Sequence, residues 1–186
     1  MESLNREFPR KMTSDEATCP DDKHAPDGGG PFVTAVLQRA LVSGTCASIA
    51  STGVLALAGV RDCASAMAPT NAVSHWIWGD RALRQQSMSA AYTGTGYVIH
   101  HAMSVLWASG YEGYIAWRPP ATHGHALGAA LATSAIAALV DLKFTPKRLT
   151  PGFERKLSSL MLWAVYIGFG VALGLRQLFA SKHRNG

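Results

Sequence analysis

The stretch Gly96-Tyr97-Val98-Ile99-His100-His101 places two adjacent imidazoles inside an otherwise apolar run, residues 91–114. A run of this length crosses a bilayer as a helix, since about 20 residues rising roughly 1.5 Å each cover the hydrocarbon core. Polar side chains at that depth are costly and need partners from neighbouring helices. On a helical wheel Gly96, His100, Ser104, Trp107 and Tyr111 share one stripe, with Thr93, Tyr97, His101 and Ala108 beside it. Val98, Ile99, Ala102 and Leu106 lie largely opposite. Residues three and four apart share a helix face, so both histidines belong to one inward face.

Working outward, an earlier span covers residues 33–60. Its core, residues 40–60, carries no charge and is bracketed by Arg39 and Arg61. Gly44, Ser48 and Thr52 lie one turn apart, flanked by Ala47 and Ser51. Small residues at this spacing let helices approach closely in lipid, so the stripe should face the bundle. A third span, residues 121–142, carries Gly124, Gly128, Ala129, Ala132 and Ala135 as a second close-packing surface. A fourth runs to residue 178 with Gly170 and Gly174. Its expected start is Leu149-Thr150-Pro151-Gly152-Phe153-Glu154, with Thr150 as N-cap, Pro151 in the first helical position and Glu154 near the positive end. Between the first and second spans, Thr70 or Asn71 can cap a short helix that Gly79 ends, and Trp76 and Trp78 suit a membrane interface. The fold expected is all-α: an integral-membrane four-helix bundle with a short interfacial or re-entrant helix after the first span.

Composition agrees. The 186-residue chain is 48% hydrophobic and 16% charged, against roughly 25% charged in ordinary soluble domains. Residues 1–32 are acidic, net −3, and end in Pro26-Asp27-Gly28-Gly29-Gly30-Pro31; they read as a disordered tail before a 33–180 membrane domain, with 181–186 a short basic tail. No secretory signal is expected in so acidic and Pro/Gly-punctuated a beginning. The remaining bases sit at the ends of apolar segments, a membrane-flank pattern rather than a nucleic-acid footprint. Arg61, Arg81, Arg84, Lys143, Lys147, Arg148, Arg155 and Lys156 lie in the two loops of one side. Arg39, Arg118, Arg176, Lys182 and Arg184 lie on the other. The positive-inside rule then puts both loops in the cytoplasm and both termini outside.

Chemistry is weakly signalled. Cys19, Cys46 and Cys63 form no CxxC pair, haem-attachment motif or zinc spacing, and no nucleophile elbow or phosphate loop is present. No catalytic motif is recognisable. His100 and His101 lie roughly 13 Å below the membrane face that carries His75, Asp80, Asp141 and Glu154. Imidazoles and carboxylates suit transition metals, which makes His75, His100 and His101 candidate ligands. However, adjacent histidines diverge by about 100° on a helix, and the Glu-x-x-His spacing of di-iron bundles is absent. The favoured reading is a buried polar centre, with Asp80, Ser104, Asp141 and Glu154 as further members, that packs the bundle. Asp141, near a helix C-terminus, should pair with Lys143, Lys147 or Arg148. His123 and His125, at the start of the third span, suit a solvated interfacial place. A metal- or haem-binding membrane redox protein is the alternative, and a small-solute carrier a third; neither cofactor is favoured.

Three motifs, Ser74-His75-Trp76-Ile77-Trp78-Gly79-Asp80, Gly96-Tyr97-Val98-Ile99-His100-His101 and Leu149-Thr150-Pro151-Gly152-Phe153-Glu154, resemble a family of small uncharacterised bacterial inner-membrane proteins. The resemblance spans about residues 35–178 and implies a multi-pass protein of a bacterial inner membrane. It brings no activity with it. The partners expected are the lipid bilayer and a second copy docked through small-residue helix faces.

Overall fold

The computed structural model describes residues 29–180, and the regular structure among them is entirely helical. Of the tails expected at residues 1–32 and 181–186, residues 1–28 and 181–186 lie outside the described residues, and residues 29–32 are helical instead. The first helix, α1 (Gly29–Cys63), begins earlier than expected, with Gly29, Gly30, Pro31 and Phe32 already helical. Proline is tolerated there because N–H groups of the first turn have no intrahelical acceptor. Along α1 the hydroxyls of Thr34, Ser43, Thr45 and Ser51 donate to carbonyls four residues back. Such local bonds satisfy polar side chains where lipid offers no partner.

Three short helices follow: α2 (Ala68–Val73), α3 (His75–Trp78) and α4 (Asp80–Leu83). Gly79, at φ +59°, ends α3 as expected. Thr70 and Asn71 do not cap a helix start; both are buried inside α2. Asn71 instead holds the following loop, donating to the carbonyls of Gln85 and Ser87 and accepting from the Thr93 hydroxyl at 2.6 Å. A π-helical turn (Ala90–Gly94), capped by the Ser89 hydroxyl, leads into α5 (Thr95–Trp117). Thr122 caps α6 (His123–Leu139), which continues into a π-helical segment (Val140–Phe144). A 3-10 turn (Phe153–Arg155) precedes α7 (Ser159–Ala180).

That order corrects the expected start of the last helix. Thr150 donates to the Lys147 carbonyl instead of capping, and Leu149 to Glu154 form a turn. The cap comes from elsewhere in the chain. Asp62, at the end of α1, accepts from the Ser158 amide at 2.7 Å and the Ser158 hydroxyl at 2.8 Å. A carboxylate at a helix N-terminus meets free amides and the positive end of the dipole.

Three segments are long and apolar enough to cross a membrane: Gly30–Cys63, His123–Phe144 and Ser159–Leu178. At 23 residues α5 has comparable length, but it is not among them. α1 packs along both α5 and α7, and α6 lies along α7. The α1–α5 pair is antiparallel, with Gly44 against Val105 and Ser51 against His100. A Cβ on Gly44 would stand 2.8 Å from Val105 Cα, so this crossing needs glycine. Ala47, Ser48 and Ser51 are buried with it, as the small-residue stripe predicts. On α7, Gly170 and Gly174 receive Ser134 and Ala130 of α6. The packed face of α6 is therefore Ala126, Ala130, Ser134 and Ala137, while Gly124, Gly128, Ala132 and Ala135 turn outward.

Candidate functional site

On α5, Gly96, Ser104, Ala108 and Tyr111 are buried, whereas Val98 and Leu106 are 66% and 58% exposed. The inward stripe is as expected, except that Ile99 also turns in and lines a cavity beside His100. Both histidines meet α1. His100 Nε2 lies 2.8 Å from Ser51 Oγ, and His101 Nδ1 lies 3.2 Å from Ser48 Oγ. The hydroxyl hydrogen of Ser51 goes to the Ala47 carbonyl at 2.7 Å. A hydroxyl has one hydrogen to give; with that hydrogen assigned to Ala47, Ser51 accepts from His100, an assignment that puts the proton on Nε2 and leaves the lone pair on Nδ1. His100 also packs edge-on against Phe153, and His101 stacks on Tyr97.

His75 is elsewhere. It is buried in α3, its Nδ1 donates to the Ala72 carbonyl at 2.9 Å, and its Nε2 has no protein partner. Gly152 of the following turn sits directly on this segment. A Cβ there would stand 2.7 Å from His75 Nδ1 and clash with the Ala72 carbonyl oxygen. Among the described residues, no group of three or more His, Cys, Asp or Glu is placed to hold a metal ion. His75, His100 and His101 each face a different hydrogen-bond partner and do not converge.

The polar centre gathers some expected members and not others. His100, Ser104, Asp141 and Ser51 line a cavity of about 60 Å³ together with Trp107 and Tyr166. Ser104 donates to the His100 carbonyl. Asp141 accepts from the Tyr166 hydroxyl at 3.1 Å, so its partner is a phenol on α7 rather than Lys143, Lys147 or Arg148. Asp141 itself lies in the π-helical segment that ends α6. Glu154 sits on the 3-10 turn, 3.8 Å from Arg155, with its Oε2 buried and unpartnered. Asp80 does not belong to the centre. Its side chain is 81% exposed and reaches only Arg155, at 4.0 Å. Trp76 donates to the Thr150 carbonyl and closes the cavity's loop end, while Trp78 donates to the Ala91 carbonyl at the surface. His123 borders an open groove of about 990 Å³ at the opposite end of the bundle, beside Arg39 and Arg176. His125 is exposed there.

One functional-grade contact was missed by sequence reasoning. Glu112 of α5 is 0% exposed and accepts two bonds from the Arg176 guanidinium of α7, Nε to Oε1 at 2.9 Å and NH2 to Oε2 at 2.6 Å. Gln177 adds a longer bond at 3.4 Å. This fork-on-fork geometry is the strongest form of the ion pair. A signal existed: a lone carboxylate inside a lipid-length helix requires a partner, and Arg176 is the basic residue inside α7.

Set beside known proteins, the chain matches no family model, and neither a curated protein nor a solved structure matches it.

Proposed function

We propose that the chain is a multi-pass membrane protein of four spans, whose polar interior, centred on His100 and His101, packs and orients the helices. The observation carrying this reading is the pair of histidine–serine contacts between α5 and α1, at 2.8 and 3.2 Å. Each imidazole has a neighbour supplied by a helix that crosses it antiparallel. α5 counts as a span in this reading because its costly groups are satisfied inside the bundle: the histidines by serines, and Glu112 by Arg176. Its modest hydropathy then reflects an interior place rather than a surface one. Among the described residues no group of three or more metal-ligating side chains is gathered, and no observation favours a solute path. Placement in a bacterial inner membrane belongs to the same proposal and rests on the three motifs. The outward Gly128, Ala132 and Ala135 of α6 offer the face for a second copy.

The test is thermal unfolding in detergent. His100→Ala should lower the midpoint, and Ser51→Ala with His100→Ala should show coupling of about 0.5–2 kcal/mol in a double-mutant cycle, the range for hydrogen bonds between membrane helices. A His100→Ala protein as stable as the parent refutes the structural role. Stoichiometric metal or a Soret band in protein expressed with metal and haem supplied restores the redox alternative.

A further inference from the structure

The cavity behind Trp76 holds a carboxylate with no cation to answer it. Asp141 lines the space and is half-buried, and its side-chain partner is the Tyr166 hydroxyl. Among the described residues no lysine or arginine forms an ion pair with it, and none lines the cavity. Glu154, on the 3-10 turn, adds negative charge nearby, and its own Oε2 is buried without a partner. A carboxylate withdrawn from water is costly until a cation joins it.

The other polar groups of the wall have their hydrogens committed elsewhere. Tyr166 donates to Asp141, Trp76 to the Thr150 carbonyl, Ser51 to the Ala47 carbonyl and Ser104 to the His100 carbonyl. His100 gives its Nε2 hydrogen to Ser51. The Trp107 N–H is buried, beyond a guest's reach. What remains for a guest is lone pairs, beside the aromatic surface of Trp76, Trp107, Phe153, Tyr166 and Phe169. Such walls repel an anion and suit a cation rich in N–H donors, since ring faces attract ammonium groups. A metal cation asks for a ligand set, and among the described residues no three His, Cys, Asp or Glu side chains gather.

Size sets the class of guest. The volume is about 60 Å³. A protein cavity that holds benzene measures roughly 150 Å³, so this guest has on the order of two or three non-hydrogen atoms. Leu149, exposed at the loop end, forms part of the wall, so the space lies close to the surface there.

We propose that this cavity binds a small ammonium-type cation, either ammonium itself or a methyl- or ethylammonium ion, with Asp141 as the counter-charge. The N–H groups of the guest donate to Asp141 and to the lone pairs around it, and its alkyl end lies against the rings. Occupancy of the site does not depend on the number of helices that span a membrane.

The experiment is saturation-transfer NMR with methylammonium chloride on the full chain in phosphatidylcholine nanodiscs, with empty discs as the baseline. A guest of so few atoms binds at best in the roughly millimolar range, which this measurement reads. The expected result is a saturable methyl signal that ammonium chloride displaces and equal sodium chloride does not. Tetramethylammonium, too bulky for the space, should give no saturable signal. Asp141→Asn should raise the half-saturating concentration about tenfold or more, the weight of a hydrogen bond to a charged group. Ala137→Leu, which fills cavity space and leaves every charge in place, should weaken binding to a similar degree. This second variant and the size cut-off on the unmodified protein decide the matter if Asp141→Asn does not fold. The proposal is overturned by no saturable signal above empty discs, by sodium displacing as well as ammonium, by tetramethylammonium binding equally, or by unchanged affinity in either folded variant.

Discussion

At the scale of single residues, the Glu112–Arg176 pair is the contact whose loss costs most. Glu112 is fully buried and Arg176 is 22% exposed. Removing one partner strands the other in a low-dielectric interior, which costs about 3–5 kcal/mol, whereas replacing both with apolar residues is often close to neutral. Glu112→Gln should therefore unfold at markedly lower temperature in detergent, and Glu112→Leu combined with Arg176→Met should recover most of the loss. Equal stability of Glu112→Gln and the parent contradicts a committed ion pair. Asp62→Ala removes two bonds at the start of α7 and should lower the unfolding midpoint, as loss of a helix cap does. Asp62→Asn, which keeps an acceptor oxygen, should lose less. The sequence exposes such pairs poorly. Glu112 and Arg176 are separated by 64 residues, and nothing local to either names the other.

At the scale of elements, legibility followed periodicity. The inward faces of α1 and α5 could be read because small and polar residues recur every three or four positions, and the structure buries Gly44, Ala47, Ser48, Ser51, Gly96 and Ser104. The face of α6 could not. Gly124 and Gly128 look like a contact motif, but on a helix so rich in alanine several faces are equally small, and α7 meets Ala130 and Ser134. The Leu149 to Glu154 segment misled for another reason. It has the residues of a helix start, but Gly152, at φ +86°, turns the chain beneath α2 before any long helix can form. Gly152→Ala has to accommodate a Cβ against Ala72 and His75 in a conformation that L residues rarely adopt. It should destabilise the protein by about 1–3 kcal/mol and expose His75 to solvent exchange. A normal melting profile with His75 still protected contradicts that account of the turn.

At the scale of the molecule, α5 decides the topology. If it spans, the loop after α1 and the loop before α7 share one side, and the short loop after α5 lies on the other. In a background lacking native cysteines, Arg84→Cys and Lys147→Cys should react with an impermeant thiol reagent from the same side of sealed vesicles, and Arg118→Cys only from the opposite side. Labelling of Arg118→Cys together with Arg84→Cys removes the fourth span. The excess of bases in the two loops predicts that their shared side is cytoplasmic. The count of four rests on α5, the long helix whose polar residues dilute the apolar signal that marks the other three.

The order in which the helices are made gives the buried pair a further meaning. Chains are synthesised from the N-terminus, so on the four-span reading α1 enters the membrane ahead of the other described helices, with an inward face of alanine, glycine and serines such as Ser43 and Ser51, whose hydroxyls bond back to their own helix. It can wait in lipid at little cost. α5 comes next with both histidines, and their serine neighbours are already in place on α1. Glu112 arrives in the same helix, but its guanidinium sits near the end of α7, the last of the described helices to be made. Through the synthesis of α6 and nearly all of α7, that carboxylate has no Arg176 to meet. Docking of α7 therefore closes assembly, and a nascent chain stopped short of Arg176 carries an unanswered acid in its second long helix.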